Sequence, residues 1–234
     1  MTATRLIEIR TGKPASLGDG TLVSAINKTP RSGPVALRRL GLDGDEQADR
    51  RFHGGPDKAV LHYAADNYDA WRAEQPAQPE LFAPGAFGEN FVSRELNETN
   101  VCLGDVFRIG AAEVEVSQPR QPCFKLNHRF HQGDMARRVQ TTGRTGWYYR
   151  VLTEGDVAAG DVITLIERPF PDWTLRRVQQ HLYVKTQDAT AIETLAKLPA
   201  LSESMRKLFA TRLAARATES WDARLTGAGV TSPG

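Results

Sequence analysis

The sequence predicts a mostly β chain with helices, an α+β fold in which a β-barrel is followed by a small C-terminal three-helix bundle. Three observations predict it. Short apolar runs recur at close spacing through the first 170 residues, which favours a closed or nearly closed barrel. Pro169-Phe170-Pro171 then interrupts the chain with two residues that break both strand ladders and helices. Beyond it the apolar spacing changes from two to three and four. The expected division is therefore residues 1–170 for the barrel and 171–234 for the helices.

Each element follows from local text. Leu6 to Ile9 is a first short extended run, and Thr21 to Asn27 a second, with Leu22, Ser24 and Ile26 on one face. Val35 to Leu40, Ala59 to Tyr63 and Val101 to Ile109 come next. In Glu113 to Ser117, Val114 and Val116 alternate with Glu113 and Glu115, the period of a half-buried strand. Val162 to Ile166 closes the set. Gly104-Asp105 and Gly160-Asp161 read as turns entering strands. Two helices interrupt the strands, one from Ala64 to Glu74 ended by Pro76, the other from Asp134 to Gln140 ended near Gly143. After Pro171, Leu175, Val178 and Leu182 share one helix face. Ile192 and Leu195 mark a second helix before Pro199. Met205, Leu208, Phe209 and Leu213 mark a third, with Ser202 at its N-cap. The tail from Gly227 carries Gly, Ser and Pro and reads as frayed.

Composition limits the function classes. At 234 residues, 40 % hydrophobic and 25 % charged, the chain can build its own core without a disulfide or zinc staple. A net charge of +2 suits an anionic ligand and does not by itself call for a nucleic acid polymer. No apolar run resembles a signal peptide or approaches the ~20 residues needed to span a bilayer, so no membrane is expected. An iron–sulfur cluster normally takes four cysteines, or two with two histidines, and two cysteines, Cys102 and Cys123, with no CxxC do not easily hold one. They fit a reduced, cytoplasmic setting.

The most unusual local text is Ser117-Gln118-Pro119-Arg120-Gln121-Pro122-Cys123-Phe124-Lys125-Leu126-Asn127. A strand runs out into a turn stiffened by two prolines. Pro122 as the first residue of a short helix would put Cys123 in its first turn, where the helix dipole and the flanking Arg120 and Lys125 favour a thiolate. Such a thiolate serves as a nucleophile or as a ligand for a soft metal. The plainer reading is a structural cysteine, although inert cysteines usually sit among apolar residues. Cys102 does sit that way, in Asn100-Val101-Cys102-Leu103, and reads as core.

Two further clusters stand out. Gly54-Gly55 permits a tight loop whose N–H groups suit an anion, with His53 before it and Lys58 after it. This matches neither the dinucleotide fingerprint nor the P-loop. The nearby Asp45, Glu46 and Asp49 read as a solvated turn rather than a metal site, and His62 faces either core or pocket. In Phe87-Gly88-Glu89-Asn90-Phe91, Glu89 or Asn90 either bonds a polar heterocycle or caps the turn. Gly146-Trp147-Tyr148-Tyr149-Arg150 reads as core packing, and His128, His131 and His181 show no ligand spacing.

Taken in order, GLDGDEQADRRFHGGPDKAVLHY, FGEN, LGDVFRIG, SQPRQPCFKLN and TGRTGWYYRV resemble the MOSC domain family. The likeness is greatest to the YiiM-like branch, which adds a C-terminal three-helix domain, and it covers nearly the whole chain. The resemblance implies a barrel similar to that of pyruvate kinase. It implies the molybdenum cofactor (molybdenum on molybdopterin), with Cys123 as the protein's ligand to the metal. His53 is expected to assist as a proton donor. Arg51, Gly54, Gly55, Lys58, Asn90, Arg120, Lys125 and Asn127 make up the expected cofactor-binding set. The implied activity is reduction of small N-hydroxylated compounds, such as 6-hydroxylaminopurine, to amines. Because the chain has neither a cluster motif nor a glycine-rich dinucleotide motif, electrons are expected from a separate flavin- or iron–sulfur-bearing donor. Its docking surface is sought among Arg176, Arg177, Lys207, Arg212 and Arg216, and a homodimer is an option for the assembly. The alternatives are a carrier of the cofactor or its sulfur without catalysis, a cysteine-nucleophile hydrolase or transferase, and an interaction module whose thiol is structural.

Overall fold

The computed structural model describes residues 4–18, 20, 22–48 and 54–227. The first half runs β1 (Leu6–Thr11), β2 (Ala15–Leu17), β3 (Leu22–Ser24), β4 (Thr29–Pro30), β5 (Val35–Arg38), β6 (Gly41–Leu42), β7 (Val60–Ala64), α1 (Ala65–Glu74) and β8 (Phe91–Ser93). The second half of the barrel domain runs β9 (Val106–Ile109), β10 (Ala112–Pro119), α2 (Lys125–Phe130), α3 (Met135–Thr142), β11 (Trp147–Thr153), β12 (Gly155–Val157) and β13 (Ile163–Glu167). The helical region holds α4 (Leu175–Tyr183), α5 (Ala189–Lys197), α6 (Glu203–Ala215) and α7 (Asp222–Thr226).

The main sheet has the order β13-β9-β10-β11-β7-β8-β1-β4. Its β7–β8 pair is parallel, and the other pairs are antiparallel. The sheet returns on itself. Arg5 bridges Val162, and Leu6 N, Gly160 N and Ile163 N bond Asp161 O, Leu6 O and Thr4 O. The edge strand β13 is thereby tied to the start of β1, which leaves little free edge. The alternation read in Glu113 to Ser117 holds: Val114 and Val116 are fully buried, while Glu113 and Glu115 are half-buried.

Side chains inside the barrel, Leu6, Phe107, Val114 and Trp147 among them, belong to one apolar cluster with Leu175, Val178, Leu182, Leu195, Met205 and Phe209 of the helices. The helices therefore share the barrel's core. Of these, α4, α5 and α6 have side-chain caps, the Ser202 cap of α6 being the one the sequence indicates. Thr174, Asp188 and Ser202 accept from Arg177 N, Ala191 N and Met205 N, satisfying N–H groups left over at the helix starts. A second apolar cluster, with Tyr63, Tyr68, Trp71, Phe87 and Phe130, joins α1, α2 and α3 to the barrel wall.

Four expectations change. The strand expected over Thr21 to Asn27 is only Leu22–Ser24, because Ser24 Oγ takes Ile26 N and Ile26 O takes Lys28 N, which turns the chain. Thr21 itself lies outside the described residues. Val35 to Leu40 stops at Arg38 and reverses into β6. Val101 to Ile109 is split by the turn at Leu103-Gly104, and only Val106–Ile109 is strand. The helix expected from Pro122 begins at Lys125, so Cys123 lies before it rather than in its first turn.

Candidate functional site

A solvent-open cleft lies between the Asp45 turn, the start of β7 and the end of β10. It brings together Cys123, Lys58, Gly54, Asn90, Arg120 and Lys125, six of the residues singled out from the sequence. Lys28, Asp45, Glu46 and Tyr148 also line it.

Cys123 is partly exposed. It sits in the irregular segment after β10, and its carbonyl accepts from Leu126 N at 3.0 Å. Cys102 is 2 % exposed, its amide bonded to Asp105, and burial pushes its thiol up. The two cysteines are thus as different in setting as the sequence indicates.

Arg120 is anchored at the end of β10 by its amide, which donates to Gly146 O at 3.0 Å. The residue is only 7 % exposed, yet its Nη1 has no hydrogen-bond partner among the described residues. A buried guanidinium nitrogen without an acceptor is costly, and the residue that carries it lines the cleft. Lys125 extends to Val23 O at 2.9 Å. Burial, with Arg224 nearby, lowers the Lys58 ammonium, and Asp57 opposes them.

Gly54 and Gly55 both have positive φ, 86° and 83°, a backbone that other residues adopt only with strain. The single turn Pro56–Lys58 follows them, and its Asp57 is fixed by Arg150 of β11. Gly54 lines the cleft, whereas Gly55 does not. Arg51 and His53 lie outside the described residues.

Two expected ligands are already engaged. Asn90 lines the cleft, but its Oδ1 accepts from Leu61 N at 3.1 Å and its Nδ2 donates to Arg10 O at 3.1 Å, so its amide ties β7 to β1. Asn127 stands away from the cleft, its Nδ2 donating to Leu225 O and its Oδ1 accepting from Ala136 N. Glu89 is fully buried and holds Tyr68 and the amides of Gly85 and Phe87, which is the turn-capping alternative.

The turn around Asp45 is solvated at Gly44 and Glu46, as expected, but not at the Asp45 carboxylate; Asp49 lies outside the described residues. Asp45 is ion-paired with Lys28 in the cleft wall, their side chains 2 % and 7 % exposed. Asp45 also accepts from Gly12 N at 2.8 Å. Burial lowers the Lys28 ammonium while Asp45 opposes the shift.

His62 belongs to the core. It is fully buried between Tyr149 Oη at 3.0 Å and Ser93 Oγ at 2.8 Å and stacks on Trp147. Burial brings its pKa down to about 3. His181 is buried against Trp173, and no group of three or more His, Cys, Asp or Glu among the described residues could hold a metal ion.

Tyr148 was missed in the core reading of its aromatic run. Trp147, Tyr149 and Val151 face inward on β11, while Tyr148 and Arg150 alternate to the other side. Burial raises the Tyr148 phenol, against the opposing charge of Arg120, so its hydroxyl stays protonated at neutral pH. That two-residue alternation in Trp147-Tyr148-Tyr149-Arg150-Val151 was the signal available.

One residue of the expected docking patch is buried. Arg212 is 4 % exposed and bonds Glu219 and the carbonyls of His181 and Leu182. Lys207 pairs with Glu203, and Arg177 covers the Trp173 ring. No helix among the described residues is long and apolar enough to cross a membrane.

Comparison with known proteins gives a consistent picture. A MOSC domain model matches residues 49–164, and a YiiM-like 3-alpha helix domain model matches residues 173–216. Protein YiiM of Escherichia coli K12 is 39 % identical over 221 residues, covering 94 % of this chain and 98 % of that protein. The crystal structure of YiiM from Escherichia coli superposes with a TM-score of 0.80 at 33 % identity, covering 94 % of this chain and 98 % of the other. A protein of Gibberella moniliformis named "Reductase" is 42 % identical over 197 residues, 83 % of this chain. The match spans only 35 % of that protein's length. The chain belongs to the MOSC domain family, in the branch that carries the YiiM-like three-helix domain.

Proposed function

We propose that this chain is a molybdenum-cofactor-dependent oxidoreductase that reduces N-hydroxylated compounds, such as 6-hydroxylaminopurine, to amines. The observation that carries the reading is the partly exposed Cys123 thiol in a cleft also lined by Arg120, whose buried Nη1 has no hydrogen-bond partner among the described residues. Four cationic side chains, Lys28, Lys58, Arg120 and Lys125, line it against two acidic ones, Asp45 and Glu46.

The donor set fits a metal held by a cofactor better than a bare ion. One thiolate is a good soft ligand, but it leaves a metal's other positions to donors the cofactor brings. Arg120 and Lys58 would hold the cofactor's phosphate, with the Gly54 backbone beside them. Arg51, from the same motif, is a further candidate for the phosphate. When bound, the cofactor supplies two-electron oxygen-atom chemistry.

The chain's own residues then position and protonate. Conversion of R–NHOH to R–NH2 consumes two electrons and two protons and releases one water. Tyr148 lines the cleft and keeps a proton on its Oη, so it is one candidate donor to the leaving oxygen, and His53 is the second. Ile26, Ala59, Leu61 and Phe87 give the cleft an apolar wall that limits water around the reacting bond. The electrons come from a separate flavin- or iron–sulfur-bearing protein, since a cluster takes four cysteines, or two with two histidines, and no group of three or more His, Cys, Asp or Glu gathers at a metal site among the described residues. The relative named "Reductase" supports the redox class.

The test uses chain purified from a cofactor-competent host, supplied with 6-hydroxylaminopurine and a chemical reductant. Wild type should release the amine, and Cys123→Ser should not. Cofactor-loaded wild type without turnover would instead favour a carrier. A covalent adduct on Cys123 without molybdenum would favour a nucleophile.

A further inference from the structure

We propose that Arg224, at the far end of the chain, is a positioning residue for Cys123. The inference rests on the reading of Cys123 as the cofactor's ligand. The segment that carries Cys123 has no regular structure between the end of β10 and the start of α2, so something else must fix it. Arg224 Nε donates to Pro122 O at 2.9 Å, and its Nη2 donates to Gln121 O at 3.1 Å. Phe124 N donates to Arg224 O at 2.8 Å.

Both peptide groups of Cys123, the one shared with Pro122 and the one shared with Phe124, are thus bonded to a single residue. The hold is reinforced around it. Leu225 is 2 % exposed in the second core cluster, and its carbonyl accepts from Asn127 Nδ2. Trp221 packs edge-on against Tyr183, with ring centroids 5.2 Å apart. A Cβ on Gly227 would lie 2.9 Å from the Phe124 ring. The short helix α7 therefore does a separate job from the three helices before it. It clamps the thiol segment from outside the barrel, and the Arg224 charge reaches the cleft side chains Lys58 and Tyr148.

The clamp predicts that freeing Arg224 mobilises the thiol in a chain that stays folded. Iodoacetamide labelling of the cofactor-free protein, read at the Cys123 peptide by mass spectrometry, reports this without any activity. Arg224→Ala should label about tenfold faster than wild type, the scale expected on losing hydrogen bonds from a charged donor. Arg224→Lys, which keeps one donor, should fall between them and covers the case where alanine is not tolerated. Leu225→Ala lowers stability without removing either Arg224 side-chain bond, so it should label more slowly than Arg224→Ala. Equal labelling of wild type and folded Arg224→Ala overturns the proposal, as does equal acceleration in Leu225→Ala. Because the assay needs no cofactor, a wild-type chain that never carries molybdenum would refute the ligand reading and leave the clamp standing.

Discussion

Arg150 holds Asp57 with two hydrogen bonds to one carboxylate oxygen, at 2.8 and 2.6 Å. The other oxygen of Asp57 accepts from Glu203 N at 3.0 Å. One side chain therefore joins the turn after Gly54-Gly55, the barrel strand β11 and the start of α6. Asp57→Asn should cost about 1–3 kcal/mol, the range for unmaking partly buried charged hydrogen bonds, and should weaken cofactor retention through the loosened glycine loop. Urea unfolding checks the first effect, and a wild-type midpoint would contradict it.

Arg120 makes a two-sided prediction. Its buried Nη1 has no acceptor among the described residues, so Arg120→Met should leave the cofactor-free chain as stable as wild type, or more so. The same variant should bind the cofactor about 10- to 100-fold more weakly, as for the loss of a hydrogen bond to a charged group. Melting of the free chain and cofactor retention on dilution measure the two. A large fall in stability without a change in retention would make Arg120 structural.

Tyr148→Phe removes only the hydroxyl. Molybdenum content should be unchanged while kcat falls about 100-fold, the scale of a general acid. An unchanged kcat would pass the proton role to His53.

His62 sets part of the acid sensitivity. Its folded pKa of about 3 lies below the unfolded value of about 6.5, so the unfolded chain binds the extra proton between these limits. The stabilisation is fully present above about pH 6.5 and is lost as pH falls towards 3, by up to about 1.4 kcal/mol per pH unit. His62→Gln, which does not titrate and can still bond Ser93 and Tyr149, should show a shallower loss in urea melts between neutral and acid pH. An identical slope would mean that another group carries the effect.

Much of this arrangement was legible because it is periodic. Val114 and Val116 against Glu113 and Glu115 fixed β10, and Leu175, Val178 and Leu182 fixed α4. The apolar neighbours of Cys102 and the charged, proline-flanked setting of Cys123 separated the two thiols correctly. What escaped depends on contacts between segments distant in the chain. The turn at Asp45 has the composition of a solvated loop and is exposed at Gly44 and Glu46, and only pairing with Lys28, 17 residues earlier, buries the Asp45 carboxylate. Asn127 sits in the right motif, but α3 and α7 take both ends of its amide. Five residues of α7 are too few to show a period, so the hold of Arg224 on the Cys123 segment, about 100 residues away, left no local mark. The bridge between Arg5 and Val162 is likewise invisible to spacing.

The central claim is that Cys123 ligates molybdenum. The most direct measurement is molybdenum per chain, by elemental analysis, for wild type and Cys123→Ala purified from a cofactor-competent host beside a known molybdoenzyme. The account predicts near-stoichiometric metal in the wild type and its loss in the variant. Metal absent from both chains, with the companion enzyme loaded, would contradict it.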